Sequence, residues 1–285
     1  MVDAILPARR DTYENKSEWR TIMADEPVLL EIDARGVATV TLNRPDVNNA
    51  YDDEMIAALL NGVKSLSVDD RVRLVVLRGA GKHFQAGANL KWLKRVAGEG
   101  PEKNLQASRD TEAVVRLLDT CPKPTVAVVQ GFCVGGGTGV IAACDVVIAA
   151  SDATFSISEV RWGLIPQPIL PQLIAAMGSR NVRRYALTAE RFSAVQANIM
   201  GLVHEVAPPM QLERTAEKTI EAFLRSGPDA VAQTKAKILE LAETSIDEAT
   251  AEDLARLHSE KRQSAEAGEG LAAFLEKRNP SWFKE

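Results

Sequence analysis

The chain has 285 residues, of which 46% are hydrophobic and 26% are charged, and its formal net charge is -5. This composition is typical of a globular protein with a sizeable core, and it excludes the disordered and fibrous classes. An acidic balance does not favour nucleic-acid binding, which usually depends on a clustered basic surface. No apolar run approaches 18 residues, so we expect neither a membrane-spanning helix nor a membrane partner.

The cysteines and the N-terminal segment indicate the compartment. Cys121, Cys133 and Cys144 are odd in number and lie in apolar runs, which predicts buried free thiols in a reducing compartment. Residues 1–27 form a polar leader that resembles neither a signal peptide nor a transit peptide. We therefore expect a cytoplasmic protein. No cluster of histidines and cysteines has metal-ligand spacing, so no metal is expected.

The first predicted elements alternate between strands and helices. A hairpin is predicted over 28–45, where two β-rich runs flank Ala34-Arg35-Gly36. Helical periodicity with acids in the first turn predicts a helix over 52–66. The nearly continuous apolar runs over 73–81 and 124–131 predict strands that are buried on both faces of a parallel sheet. Together these elements predict an α/β architecture.

The pattern becomes mainly helical from about residue 179. One short strand-like segment, 202–207, interrupts the helices. We therefore divide the chain into the leader, an α/β core over 28–210 and a C-terminal helical region over 211–285. The core includes the helices over 179–201 and the strand over 202–207.

A glycine run, Gly135-Gly136-Gly137, separates a predicted strand from a predicted helix. The first N–H groups of a helix lack intrahelical acceptors, and missing side chains let a ligand approach them. The spacing matches neither a Walker loop nor a dinucleotide fingerprint. A packing role and an oxyanion hole remain open. The similar small-residue turn over 86–88, which also follows a strand, could supply the second N–H donor that an oxyanion hole needs.

Five separated segments carry a resemblance to a known family. They are LNRPDVNNA, HFQAGANL, KPTVAVVQGFCVGGGTGV, ACDVVIAASDATFSISEVRWGLIP and GLAAFLEKR, in this order between about residues 28 and 280. With these motifs the chain resembles the crotonase superfamily of enoyl-CoA hydratases and isomerases. The resemblance implies a spiral of ββα turns with a C-terminal helical oligomerisation region. It also implies a homotrimer or a dimer of trimers that acts on an acyl-CoA thioester, with coenzyme A as part of the substrate and no separate cofactor.

The resemblance implies a set of substrate contacts. The backbone N–H groups of Ala86 and Gly136 would form the oxyanion hole and belong to the catalytic set. Phe274 and Lys277 would contact coenzyme A, in this family often from a neighbouring subunit, and Val47 would lie near its adenine. The residues assigned to substrate binding are Val47, Ala86, Gly87, Ala88, Asn89, Gly136, Phe274 and Lys277.

Glu159 is the predicted catalytic carboxylate. It lies between a β-run and an apolar loop, where burial raises the pKa of a carboxyl group and suits it to proton transfer. The family's two-glutamate hydratases carry a first glutamate where this chain has Gly139. Three reactions therefore remain open: hydration with one glutamate, double-bond isomerisation, and other enolate chemistry by a lyase, hydrolase or decarboxylase. An acyl-CoA-binding oligomer without turnover is the alternative from another class.

The segments 135–166, 180–194 and 201–206 are most similar to the branch that contains 3-methylglutaconyl-CoA and isohexenylglutaconyl-CoA hydratases. Members of this branch can also carry glycine at the position of Gly139. The resemblance therefore favours hydration of a 2-enoyl-CoA.

Overall fold

The computed structural model describes residues 26–242 and 264–284. The predicted leader up to residue 25 and the predicted helical stretch over 243–263 lie outside the described residues. Within the described ranges, no helix is long and apolar enough to span a bilayer.

The described elements alternate along the core. The strands are β1 Val28–Ile32, β2 Val37–Leu42, β3 Leu74–Gly79, β4 Thr125–Val129, β5 Phe132–Val134, β6 Val146–Ala150, β7 Thr154–Ser156, β8 Phe192–Ser193 and β9 Glu205–Ala207. The helices are α1 Asp53–Ser67, α2 Leu90–Ala97, α3 Pro101–Asp119, α4 Gly136–Ala142, α5 Leu170–Thr188, α6 Ala194–Ile199, α7 Leu212–Arg225, α8 Pro228–Leu241 and α9 Ala265–Glu276. The predicted α/β architecture is confirmed.

The larger sheet has the strand order β1-β2-β3-β4-β6-β9. β1 and β2 are antiparallel, and every other neighbouring pair is parallel. The predicted hairpin closes where the Asp33 carboxylate accepts hydrogen bonds from the N–H groups of Arg35 (2.8 Å) and Val37 (2.9 Å). The predicted strand over 202–207 is confirmed at its C-terminal half, where β9 pairs with β6.

A smaller sheet has the strand order β5-β7-β8, and its first strand, β5, directly precedes the glycine run. No separate strand is predicted for β5, because three residues are too few to show a period. β5 pairs in parallel with β7, with Val134 opposite Ser156. This pairing brings the glycine run, which follows β5, close to the segment that follows β7 and contains Glu159.

The hydrophobic core lies around the middle strands of the larger sheet. β3 and β4 are buried along most of their length, as their apolar runs predict. Ile220 and Leu224 of α7 belong to the same core, so the first helix of the predicted C-terminal region packs on the sheet. The three cysteines are buried and free, which confirms that part of the prediction.

An ion pair fixes α8 to the start of β6. Lys235 Nζ lies 2.7 Å from Asp145 Oδ2, and the Lys235 side chain is only 9% exposed. The same Asp145 oxygen accepts hydrogen bonds from Thr125 N (2.7 Å) and Thr125 Oγ1 (2.9 Å). The carboxylate therefore joins two strands and a helix.

Candidate active site

A cavity of about 640 Å³ opens beside the glycine run. Its walls are the turn after β3, the glycine run, parts of α2 and α3, and residues between 158 and 169. Most of the lining is apolar, and Glu159 is the only carboxylate among the described residues of the wall. An apolar cleft with a few convergent polar groups is the usual form of a small-molecule site.

Two equivalent turns meet at the floor of the cavity. Gln85 and Cys133 form a parallel bridge, in which Gln85 N donates to Phe132 O (3.1 Å) and Val134 N donates to Gln85 O (2.9 Å). Two residues further along each chain segment, Gly87 and Gly135 have φ values of 81° and 56°. Glycine adopts this left-handed region without steric cost. A Cβ on Gly87 would lie 3.0 Å from Val134 O, so the turns also need the missing side chain to approach each other.

The hydrogen bonds identify which N–H groups these turns leave available. Ala86 N donates to the carbonyl of Asn48 (3.0 Å), so it is not available to a ligand, and the prediction that names it as an oxyanion donor requires correction. Within the described part of the chain, the N–H groups of Ala88 and Gly136 have no acceptor. Ala88 directly follows Gly87, and Gly136 directly follows Gly135. Ala88 and Gly136 both line the cavity.

Asn89 has a structural role that the sequence prediction did not include. Its side chain accepts hydrogen bonds from Lys91 N (3.0 Å) and Trp92 N (3.3 Å), and so caps the N-terminus of α2. Asparagine is among the preferred residues at this position. Asn89 is not part of the cavity wall, unlike Ala86, Gly87 and Ala88. These capping bonds engage the side-chain oxygen, and the predicted contact of Asn89 with the substrate stays a prediction.

Glu159 lies where the sequence places it, in a 3-10 turn after β7. A Cβ on Gly135 would lie 3.2 Å from Glu159 Oε1, so the carboxylate lies against the glycine run. Its other oxygen, Oε2, is buried without a hydrogen-bond partner in the described ranges. Burial raises the pKa of the Glu159 carboxyl above its usual range, partly opposed by backbone hydrogen bonds from Glu159 and Ser158. An incompletely solvated carboxylate of this kind is suited to accept a proton.

The structure gives a steric reason for Gly139. A Cβ at this position would overlap with Cγ2 and Cβ of Ile169, a side chain that is 2% exposed. Any side chain at residue 139 would therefore require Ile169 to move. The chain therefore lacks both the first glutamate and the space for its side chain. Ile169 fills the space that glycine leaves at residue 139, so Gly139 and Ile169 form a matched pair.

Tyr51 is a wall residue that sequence reasoning missed. It lines the cavity, and a Cβ on Gly136 would lie 2.9 Å from its hydroxyl oxygen. Its backbone pairs with the turn at Ala88. The motif LNRPDVNNA ends one residue before Tyr51, but no local pattern indicates that residue 51 pairs with a segment about 37 residues away. The parallel bridge in the structure therefore reveals its place in the site.

The predicted coenzyme contacts are distant from these turns in the chain. Val47 lies in a 3-10 turn and is 37% exposed, outside the cavity wall. Lys277 is exposed directly after α9. Phe274 belongs to α9, but its side chain lies outside the described residues. All three contacts stay predictions.

Comparisons with known proteins agree with this architecture. The family model for enoyl-CoA hydratase/isomerase matches residues 33–285. Hydroxycinnamoyl-CoA hydratase-lyase of Pseudomonas fluorescens is 32% identical over 271 residues, which cover 93% of this chain and 95% of that protein. The peroxisomal Delta(3,5)-Delta(2,4)-dienoyl-CoA isomerase of Arabidopsis thaliana is 30% identical over 254 residues, which cover 85% and 91%. The structure of AtuE from Pseudomonas aeruginosa has a TM-score of 0.86 and 37% identity, covering 91% of this chain and 100% of that one.

The α/β architecture and these matches define a crotonase fold. The chain belongs to the enoyl-CoA hydratase/isomerase family, and it is an enzyme of the crotonase superfamily. The relatives named above include a hydratase-lyase and an isomerase. Family membership therefore leaves the reaction to be argued from the site itself.

Proposed function

We propose that this enzyme hydrates a 2-enoyl-CoA thioester with Glu159 as its single acid–base group. The observation that carries the proposal is the unpartnered Glu159 oxygen beside the two turns whose N–H groups have no acceptor in the described residues. These features provide a proton acceptor and a pair of oxyanion donors within one cavity. Coenzyme A enters as part of the substrate, and the reaction needs no separate cofactor.

The backbone N–H groups of Ala88 and Gly136 form the proposed oxyanion hole. Both would donate to the thioester carbonyl oxygen, on which negative charge develops as the enolate forms. Fixed backbone donors stabilise this charge strongly in a site that excludes water, because they need no reorganisation during the reaction.

Glu159 would move one proton in two steps. As the oxygen of water bonds to C3 of the enoyl group, the carboxylate takes a proton from that water, and the C2–C3 double-bond electrons pass into the enolate. The resulting carboxylic acid then protonates C2 and returns to its ionised form. One water is consumed and no net proton is gained or lost. The raised pKa of Glu159 supports this exchange, because it brings the group closer to the working pH.

Isomerisation is the second candidate reaction. Moving a double bond requires one carboxylate to carry a proton between two carbons, and the described cavity wall contains one carboxylate. The similarity to a dienoyl-CoA isomerase supports this alternative. Isomerisation uses the same oxyanion hole, so the two reactions differ in whether water enters the product.

The acyl group that we propose is of the 3-methylglutaconyl type, with a carboxylate at its far end. Arg161 and Arg191 line the cavity and have no salt-bridge partner within the described part of the chain. Guanidinium groups bind carboxylates with two parallel hydrogen bonds. Either side chain could therefore receive the free carboxylate of such a substrate.

The proposed assembly is a homotrimer or a dimer of trimers, located in the cytoplasm. The support for this assembly is the family resemblance of the C-terminal helical region. Light scattering on purified protein would distinguish these assemblies from a monomer.

Product identification tests the proposed reaction. The protein would be incubated separately with crotonyl-CoA, 3-methylglutaconyl-CoA and a 3-enoyl-CoA, and the thioester products analysed by mass spectrometry. A gain of one water that is absent with Glu159→Gln is the expected result. A product of unchanged mass with a shifted double bond would identify an isomerase, and a shortened acyl chain would identify a lyase. Tight binding without any product would favour the non-catalytic oligomer.

A further inference from the structure

Tyr51 is held against the proposed oxyanion hole through its backbone. Tyr51 N donates to Gly87 O (2.9 Å), and Asn89 N donates to Tyr51 O (2.8 Å). These two bonds surround Ala88, the residue whose N–H has no acceptor in the described ranges. The position of Tyr51 relative to the first proposed donor is therefore fixed by a parallel bridge.

The Tyr51 side chain reaches the second proposed donor. Its ring packs edge-on against Trp92, with the ring centroids 5.9 Å apart. A Cβ on Gly136 would lie 2.6 Å from Cε1 and 2.9 Å from the hydroxyl oxygen, so Gly136 must be glycine for the ring to fit. The hydroxyl has no hydrogen-bond partner in the described part of the structure, although Tyr51 lines the cavity. Such a group is available to a water molecule or a ligand.

Hydration with one carboxylate requires a second group to orient the water. Glu159 can accept a proton from water, but one hydrogen bond leaves that water free to rotate away from C3. The position of a second carboxylate is closed, since Ile169 fills the space beside Gly139. Ser158 Oγ lies on the Glu159 side, 3.5 Å from where a Cβ on Gly135 would be. The Tyr51 hydroxyl is the polar group beside Gly136.

We propose that Tyr51 is a positioning residue that holds the attacking water between its hydroxyl and the Glu159 carboxylate. This inference rests on the proposed hydration reaction. The two hydrogen bonds would fix the water oxygen near C3 while the N–H groups of Ala88 and Gly136 hold the thioester oxygen. Tyr51 would thereby replace the orienting effect of the absent second carboxylate.

Tyr51 keeps its own proton in this arrangement. Burial, and the nearby negative charge of Glu159, raise the pKa of the Tyr51 hydroxyl well above its usual range. The phenol is therefore neutral at the working pH and acts as a hydrogen-bonding group. The water proton goes to Glu159 and then to C2, and Tyr51 neither gains nor loses a proton over the cycle.

Tyr51→Phe tests the inference because it removes the hydroxyl and retains the ring that packs on Trp92 and Gly136. We expect kcat to fall about 100-fold, the typical cost of a misplaced reacting group, with KM changed less than about threefold. The titratable side chains of the described wall are Tyr51, Glu159, Arg161 and Arg191. Because a hydroxyl that donates toward a carboxylate favours its ionised form, its loss should move the acidic limb of kcat/KM to higher pH.

Two further variants separate hydroxyl from packing effects. Tyr185→Phe removes the same atom from a buried tyrosine outside the cavity wall and should leave kcat and the pH profile unchanged. Tyr51→Leu removes both the ring and the hydroxyl, and should lose at least as much kcat as Tyr51→Phe. The inference is overturned if Tyr51→Phe retains wild-type kcat while Tyr51→Leu loses activity.

Glu159→Gln distinguishes this inference from the proposed function. An inactive Glu159→Gln protein together with a fully active Tyr51→Phe protein would reject the role of Tyr51 alone. Full activity of Glu159→Gln would reject the single-carboxylate reaction itself. Melting curves of each variant would establish that the compared proteins are folded.

Discussion

Asp145, directly before β6, and Glu159, after β7, are partly buried carboxylates. They differ in how many hydrogen-bond donors surround them. One oxygen of Asp145 accepts hydrogen bonds from Thr125 N and Oγ1 and pairs with Lys235 Nζ. Glu159 has a buried oxygen with no hydrogen-bond partner among the described residues, and burial raises the pKa of its carboxyl group. The chain thus provides three donors to one carboxylate and leaves an oxygen of the other without any.

This difference supports a structural role for Asp145 and the proposed catalytic role for Glu159. A carboxylate that is surrounded by fixed donors holds the groups that donate to it in place. A carboxylate with an unpartnered oxygen in a cavity has a higher proton affinity and room for a substrate or water. The number of fixed donors around each carboxylate therefore distinguishes Asp145 from Glu159.

The largest expected effect is on turnover in Glu159→Gln. The amide keeps the shape of the carboxyl group but cannot take a proton from water, so kcat should fall by about 10³-fold or more, within the range of general acid–base contributions. Affinity for the acyl-CoA should stay within about threefold, because the proposed oxyanion donors are backbone groups. Steady-state kinetics and calorimetric titration would measure the two quantities.

Asp145→Asn is the matched control for that experiment. It makes the same chemical change at the structural carboxylate and should leave kcat of the folded enzyme near its wild-type value. Loss of turnover in both variants, with both proteins folded, would contradict the division of roles between the two acids.

Lys235→Met should produce the largest loss of stability in this comparison. It leaves the half-buried Asp145 charge without its ionic partner, and breaking such a pair typically costs about 3 kcal/mol. The free energy of unfolding can be measured by urea denaturation. In Lys235→Met/Asp145→Asn the uncompensated charge is removed, so the double variant should be more stable than Lys235→Met. Equal stability of Lys235→Met and the double variant would show that the ion pair does not hold α8.

Gly139→Glu tests whether the second carboxylate can be restored. The new side chain would overlap with Ile169, and overpacking of this kind typically costs about 1–3 kcal/mol. Gly139→Glu/Ile169→Ala provides space and should regain most of that stability, so the two changes should be strongly non-additive. Melting temperatures of the two single variants and the double variant measure the coupling. Additive effects of Gly139→Glu and Ile169→Ala on the melting temperature would contradict the matched packing of Gly139 and Ile169.

The sequence predicted the parts of the site that local patterns determine. Apolar runs mark β3 and β4, the resemblance marks Glu159, and small-residue turns after two strands mark the floor of the cavity. Each of these signals lies within about ten residues of the feature that it predicts. The predicted strands and the placement of Glu159 in a turn after a strand agree with the structure.

The sequence did not predict the contacts that depend on pairing between distant segments. Ala86 and Ala88 are similar residues on the same turn, and only the bond from Ala86 N to Asn48 O distinguishes them. Asn89 was predicted to bind substrate, and the sequence analysis did not include its role as the N-cap of α2. Tyr51 enters the site through its bridge with Ala88, and Ile169 enters it from a later 3-10 turn. The local sequence pattern indicates neither contact.

The smallest expected effect is on the stability of Glu159→Gln. Because the folded protein raises the pKa of Glu159 above its unfolded value, the native state binds this proton more tightly. The contribution of the carboxyl group to stability is therefore present below the unfolded pKa and is lost as the pH rises through the folded pKa. A neutral glutamine avoids that loss, so Glu159→Gln should be more stable than wild type at neutral pH by about 0.5–2 kcal/mol, the range that is typical of single stabilising substitutions. The advantage should disappear in acid, where the glutamate is protonated as well.

Asp145→Asn should instead be destabilised at neutral pH, because it removes the partner of Lys235. Urea denaturation at neutral and acidic pH would compare both variants, and destabilisation of Glu159→Gln at neutral pH would contradict the assignment of Glu159 as an acid held at a cost to the fold.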